Sequence, residues 1–360
     1  MRRLVAVSML AVLVPAAGRA QGLGESAVIG APHFVQYTFG SGASERSMSQ
    51  IAVPLVVVLP FSDRFTMDIA TSYASSNLKS GGASVSSISG LTDTQVRANF
   101  SLGSDLLVFT VGLNLPTGQY TIPEEQVPAA GQIGNDFLNY PVSAMGNGFA
   151  GTGGIAYARA LGSWNLGLGA SARKSTEFTA FNVNSSDFRF APADEYRLRL
   201  GLDRPAGDGQ VTVGVSYSAF GEDLADTTTY STGDRITATG SWSFPVGNAM
   251  GFISAWNLFR LAGQQLGGDA PKENVANINA GLSFDLGSVL VQPNLEARFW
   301  QVDGARAGQL TNIGARLRIG AGTFSFYPAA GYSTGNTYDL TSGAAEKITG
   351  FRGSLTMRWN

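Results

Sequence analysis

Along most of this chain apolar residues recur at every second position. A β-strand turns successive side chains to opposite faces, so period two means one greasy face and one wet face. Phe65, Met67 and Ile69 alternate with Thr66, Asp68 and Ala70. Val96, Ala98, Phe100 and Leu102 alternate with Arg97, Asn99 and Ser101, and Leu107, Phe109, Val111, Leu113 and Leu115 follow. Tyr196, Leu198, Leu200 and Leu202 alternate with Arg197, Arg199 and Gly201, and Val211, Val213, Val215 and Tyr217 come next. Ile236, Ala238, Trp242 and Phe244 alternate with Thr237, Thr239, Ser241 and Ser243. Val291, Leu295, Ala297 and Phe299 alternate with Gln292, Asn294, Glu296 and Arg298, and Ile313, Ala315, Leu317 and Ile319 with Asn312, Gly314, Arg316 and Arg318.

The separators alternate too. Short turns rich in Gly, Pro, Asn and Asp fall at 60–63, 103–105, 162–163, 203–209, 245–248, 287–288 and 320–322. Longer polar loops are expected at 40–46, 74–92, 117–148, 174–194, 220–233, 261–274, 302–310 and 333–347. Short turns on one side and long loops on the other predict an all-β fold, an up-and-down antiparallel transmembrane barrel. The count is about sixteen strands at about twenty-one residues per strand and connection, with fourteen or twelve as alternatives. The weakest strands are the first, near Phe34 and Phe39, and the pair from Gly154 and from Trp164. Near the end Leu355, Met357 and Trp359 alternate as in a terminal strand that outer-membrane assembly machinery recognises, although Asn360 follows the aromatic residue.

The N-terminus reads as a secretory leader. Arg2 and Arg3 precede an apolar stretch from Leu4 to Val14, and Gly18-Arg19-Ala20 offers a cleavage site before Gln21. Residues 1–20 are therefore expected to be removed and 21–360 to form one barrel domain. The longest later apolar run, from Ile51 to Phe61, contains Pro54 and Pro60, which break a helix. The chain has no cysteine, so an exported fold here would do without disulfides. Only 14% of residues are charged, against about 25–35% on a water-soluble surface. A net charge of -2 gives no electrostatic footprint for nucleic acid.

One stretch carries a family resemblance. Asp93 begins a strand, and Pro116, Thr117 and Gly118 stand at the outer end of the next. This is similar to the outer-membrane hydrophobic-compound transporters: the long-chain fatty-acid transporter superfamily and the related phenol-degradation-pathway barrels. The resemblance covers about thirty residues and implies uptake of small hydrophobic or aromatic compounds across a bacterial outer membrane. The fatty-acid transporters carry an N-terminal plug. About a dozen residues between Gln21 and the first expected strand leave no room for a sizeable one.

Chemistry is sparse. His33 is the single histidine, too little for the usual acid–base constellations, and no Cys or His cluster suits a metal. Neither an enzyme nor a cofactor is expected. Glu222, Asp223 and Asp226 offer carboxylates for a divalent cation, a solvated acidic loop being the ordinary case.

Three features bear on transport. The polar strand face is rich in arginine, namely Arg97, Arg173, Arg197, Arg199, Arg298, Arg316, Arg318 and Arg352, with Asp68 and Glu296 on the same face. That face is expected to line the lumen, where the charges either set selectivity or neutralise one another. Loop 117–148 contains Ile122, Val127, Ile133, Phe137, Leu138 and Tyr140, too apolar for a solvated loop of that length. Folded inward it would be a constriction, with Glu124, Glu125 and Asp136 facing the arginine wall; packing on the rim is the alternative. Loop 174–194 exposes Phe178, Phe181, Phe188 and Phe190, which would capture an apolar solute, meet lipopolysaccharide or form part of an interfacial belt. The expected partners are outer-membrane lipid and lipopolysaccharide, the assembly machinery through the last strand, and a small solute. The leading expectation is a passive channel for small hydrophobic or aromatic compounds. The rivals are a weakly anion-preferring porin and a non-conducting structural barrel.

Overall fold

The computed structural model describes residues 26–359 except 104–105, 184–185 and 322. The expected leader lies outside the described residues, as do Asp105, Gly322 and Asn360. The chain forms one closed antiparallel barrel of sixteen strands. Strand β1 comes in two pieces, Ala27–Gly30 and His33–Phe39, on either side of Pro32, which has no N–H for the ladder. Next come β2 (Arg46–Ser62), β3 (Phe65–Ser80) and β4, in two pieces Ala83–Leu91 and Thr94–Leu102 that both pair with β3. Then follow β5 (Leu107–Leu115), β6 (Ala150–Leu161), β7 (Trp164–Ser175), β8 (Glu195–Ala206) and β9 (Gly209–Phe220). The rest are β10 (Arg235–Val246), β11 (Ala249–Arg260), β12 (Glu273–Asp285), β13 (Val289–Val302), β14 (Ala305–Ala321), β15 (Phe324–Tyr338) and β16 (Ala345–Trp359).

Each strand pairs with its sequence neighbour, and β16 closes the ring on both pieces of β1, with Val28 opposite Trp359 and Tyr37 opposite Gly350. Closure removes every unpaired edge. At one end Asp63-Arg64, Gly162-Ser163, Gly207-Asp208 and Gly247-Asn248 make two-residue turns. At the other end lie the long connections. Three loops expected there are corrected: 333–347 is mostly strand with its connection at 339–344, and 74–92 and 302–310 are mostly strand. The latter two turn at Gly81-Gly82 and at Asp303-Gly304, whose φ angles of 49° and 81° suit the tight hairpin that continues the strand twist. Their strands run past the apolar band, where Ser and Asn in 74–92, and Ala, Arg, Gly and Gln in 305–309, fall on both faces and erase the period-two signal.

The outer face is greasy all round. Val53, Leu55, Val111, Leu198, Val213, Ile278, Leu295, Ile313 and Leu355 are exposed on it. Aromatic residues gather towards both ends, including Phe61, Trp242, Phe324 and Trp359 near the short turns and Tyr73, Tyr196 and Tyr332 nearer the long loops. Closed strands with such a band meet the requirement that backbone polar groups be satisfied within hydrocarbon. No helix among the described residues is long and apolar enough to cross a membrane.

The inward face carries the polar set. Asp68, Arg97, Arg197, Arg199, Glu296, Arg298, Arg316 and Arg318 all alternate with outward apolar residues. A test of this assignment is a membrane-folding assay. Leu198→Arg or Val213→Arg puts a charge in lipid at about 2–4 kcal/mol and should impair insertion, whereas Arg199→Leu should fold normally. Equal tolerance at the three sites would refute the faces.

Candidate functional site

The connection from β5 to β6 does not stand out in solvent. It turns back into the barrel and packs on the inner wall. Along it lie a single-turn 3-10 helix Glu124–Gln126 and the short helix α1, Val127–Ile133. Ala129, Ile133, Phe137, Leu138, Tyr140, Val142 and Met145 are buried against inward side chains of the wall: Tyr37, Met48, Ala52, Ala74, Ile88, Val275, Leu310 and Ile348. Phe137 stacks on Trp300 at 5.5 Å and crosses Gly308, where a side chain would strike its ring. Burial of these groups, at about 25 cal/mol per Å² of apolar surface, holds the loop down.

Backbone taken out of water must still be paired. The wall supplies the partners. Gln50 donates to the Val142 carbonyl at 2.8 Å and accepts from the Val142 N–H at 2.9 Å, like one rung of a sheet. The Tyr140 hydroxyl donates to the Met48 carbonyl at 3.2 Å. Arg298, only 4% exposed, donates to the Phe137 carbonyl at 2.7 Å, and Arg352 donates to the Leu138 carbonyl at 2.6 Å. Ser86 donates to the Glu125 carbonyl and accepts from the Ala129 N–H.

Both ends of the loop meet at one carboxylate. Asp93, in the break between the two pieces of β4, accepts from the Gly118 N–H at 3.1 Å, the Asn147 N–H at 2.7 Å and the Asn114 side chain at 2.7 Å. Asn114 also donates to the Gly148 carbonyl at 2.6 Å. Thr117 accepts from the Thr94 N–H and donates to the Thr92 carbonyl. Gly118 must be glycine, because a Cβ there would lie 2.2 Å from the Met145 carbonyl oxygen. Pro116 is exposed at the end of β5, where its missing N–H stops the ladder. In this barrel the residues of the family-like motif tie down the loop's root.

The loop acids do not meet the arginines as expected. Glu124 and Glu125 are exposed, Asp136 is half-buried, and none of the three forms an ion pair among the described residues. Arg298 and Arg352 instead hold loop carbonyls, whose fixed positions a guanidinium fork can reach without the loop spending a side chain. Glu296 beside them accepts from Arg298 at 2.5 Å and from Asn277 at 2.5 Å.

The loop lies on the wall from β12 through β16 to β4. The wall from β5 to β10 is left free of it and is lined by small residues. Ala156, Ala158 and Ala160 point inward on β6 and are exposed. Gly167 and Gly169 on β7, Gly201 on β8, and Thr237, Thr239 and Ser241 on β10 continue the lining. Several arginines overlook it, among them Arg173 of β7, opposite Glu195, and Arg235 of β10, over the Phe220 ring. Arg97 is held by Asp68 at 2.7 Å and Arg197 by Glu195 with help from Ser218. Arg199 forms no ion pair among the described residues, nor does Arg318, exposed near the short-turn end. Arg316 lies over the Tyr327 ring at 4.9 Å.

Above the barrel the long loops join into a sheet. Phe178–Val183 and Ser186–Ala191 form a hairpin, flanked by Ile122–Pro123 on one side and by Glu222–Ala225 with Thr228–Ser231 on the other. The phenylalanines expected to stand exposed are half-buried and paired. Phe178 meets Phe190 at 5.9 Å and Tyr120 at 6.0 Å, and Phe181 meets Phe188 at 5.8 Å. They fasten the hairpin to the loop that plunges inward. Asp223 and Asp226 accept backbone N–H groups of Ala193 and Arg189, and no group of three His, Asp or Glu among the described residues could hold a metal. His33 faces inward on β1 opposite Ala52 and Ser354.

Gln50, Asn114, Asn147 and Ser86 were not singled out from the sequence. The signal was present for Gln50, a long amide between Met48 and Ala52 on an inward apolar row. Asn147 contributes only its backbone, which no sequence pattern displays.

No family model and no curated protein matches the chain. Among solved structures it is similar to a loop L8 deletion mutant of OmpT, an outer membrane protein of Vibrio cholerae, at 12% identity, covering 93% of this chain and 99% of that one, with a TM-score of 0.43. A bacterial polysaccharide outer membrane secretin follows at 9% identity, 93% and 98% coverage and a TM-score of 0.48. A TodX mutant, a monoaromatic hydrocarbon channel, follows at 9% identity, 93% and 90% coverage and a TM-score of 0.41. Identities this low and TM-scores under 0.5 place the chain in no family.

The clamp is testable by Asp93→Ala. Each donor stranded in a buried position costs about 1–3 kcal/mol. The variant should fold as a barrel yet be cut by protease within 117–148 and show a noisier current. A variant as resistant as the parent would remove Asp93 from the loop's support.

Proposed function

We propose that this barrel is a passive channel of a bacterial outer membrane, in which small solutes cross between the infolded loop and the free wall of β5 to β10. The observation that carries the proposal is the one-sided packing of the loop. It fills the lumen against β12 to β4 with an apolar core and fixed hydrogen bonds, and leaves the opposite wall lined by Gly, Ala, Ser and Thr between its arginines. A purely structural barrel has no use for a wall stripped of bulk.

Charge in the lumen favours anions. Arg97 and Arg197 are neutralised locally, while Arg199 and Arg318 keep their charge for whatever passes. Fixed positive charge in a narrow wet pore concentrates anions. A second reading, uptake of hydrophobic or aromatic compounds, rests on Tyr120, Phe178 and Phe190 at the mouth, which keep partial exposure beside the inward loop. Most of that aromatic surface is spent on joining two loops, which weakens its case as a capture surface. The last strand, with Leu355, Met357 and Trp359 outward, is the proposed contact for assembly machinery, and the outer loops are the proposed contact for lipopolysaccharide.

Planar-bilayer recordings separate these readings. Replacing Arg199 and Arg318 together with glutamine should lower the anion-over-cation permeability ratio several-fold, with conductance retained. Phe178→Ser with Phe181→Ser should leave the ratio unchanged. If the arginine pair has no effect and the phenylalanine pair slows uptake of an aromatic solute, the hydrophobic-compound reading replaces the anion one. A barrel that inserts but never conducts would refute both and favour a structural role.

A further inference from the structure

Arg199 sits at the middle of the free wall with unusual surroundings. On either side of it in register are Gly169 of β7 and Ser216 of β9, and beyond Gly169 comes Ala156 of β6. None of these reaches far into the lumen. A side chain built at Gly169 would touch the stem of Arg199 at 3.7 Å. The wall has therefore been kept low around one long cation.

Arg197, Glu195 and Arg97 act electrostatically on Arg199. Glu195 neutralises Arg197, and Asp68 neutralises Arg97 with two hydrogen bonds at 2.9 and 2.7 Å. Three guanidiniums against two carboxylates leave one positive charge, and it belongs to Arg199. The neighbouring pair is saturated further by Asn99, which donates to Asp68, and by Thr110, which donates to Asn99 at 2.9 Å. Those groups have their partners within the wall. Arg199 has none among the described residues.

We propose that Arg199 is a binding site in the lumen for a small monocarboxylate, the guest whose single charge matches the one left over. The proposal rests on the reading of the barrel as a channel and names the class of solute that this wall would hold in transit. A guanidinium presents two parallel N–H groups that match the two oxygens of a carboxylate. A doubly charged anion would bring one negative charge more than the site neutralises, beside Glu195, which repels it. Ala156 and Gly169 leave room for a compact apolar body beside the carboxylate.

The test uses the full-length barrel with sodium benzoate as probe. Isothermal titration in detergent should show benzoate binding that Arg199→Gln weakens at least tenfold. Arg199→Lys keeps the charge but not the fork and should weaken it less. Gly169→Leu fills the same space from the next strand without changing charge and should abolish binding. Arg159→Gln, on the outer face of β6, should bind as the parent does. In planar bilayers benzoate should lower the potassium chloride current saturably, and Arg199→Gln should remove that block. If the barrel carries no current yet binds benzoate through Arg199, the channel reading fails and the site stands. If current flows and neither Arg199→Gln nor Gly169→Leu changes binding or block, the site is refuted. Inorganic phosphate binding more tightly than benzoate would overturn the assignment to monocarboxylates.

Discussion

Every backbone N–H and carbonyl that leaves water must find a partner, and in a lumen walled by hydrocarbon on the outside this constraint shapes the whole molecule. The sixteen strands satisfy it by closing β16 onto β1. The infolded loop has no strand beside it and must satisfy it with side chains. Asp93 takes two N–H groups from the loop's two ends, Gln50 pairs both polar groups of Val142, and Arg298 and Arg352 take the carbonyls of Phe137 and Leu138. Those partners come from β2, β4, β13 and β16, so the loop is bound to one side of the ring. The free wall follows from that binding.

The lumen arginines divide along the same line. On the loop side Arg298 and Arg352 hold backbone, and Glu296 tempers their charge. On the free side Arg97 and Arg197 are matched by acids, and Arg199 is left over. The same residue type thus does structural work where the barrel is filled and electrostatic work where it is not. Arginine suits both, because its charge persists at any pH the protein meets and its fork serves carbonyl and carboxylate alike.

The barrel was legible because half-buried strands repeat with period two, as at Leu198, Leu200 and Leu202 against Arg197, Arg199 and Gly201. The inward course of loop 117–148 was legible as one of two options, from Phe137, Leu138 and Tyr140 in a segment too long to expose them. What the loop binds was not. Opposite charges pointed Glu124, Glu125 and Asp136 at the arginines, yet the arginines chose main-chain carbonyls, which every residue has and no sequence advertises. The phenylalanines at 178, 181, 188 and 190 read as exposed, yet they pair with one another across a short hairpin, and Phe178 also meets Tyr120 of a loop far away in sequence. The strands within 74–92 were hidden by serines on both faces. The motif of Asp93, Pro116, Thr117 and Gly118 was visible from its spacing, while its mechanical part emerges only when both loop ends are seen at one carboxylate.

That the loop is fixed inside the barrel is the claim on which the rest stands, and amide hydrogen exchange on the intact protein in lipid tests it most directly. The N–H groups of Gly118, Val142 and Asn147 should be protected to the level of the strands that hold them, because each donates to a wall side chain. Exchange of these three amides at the rate of a solvated loop, with the strands still protected, would contradict it.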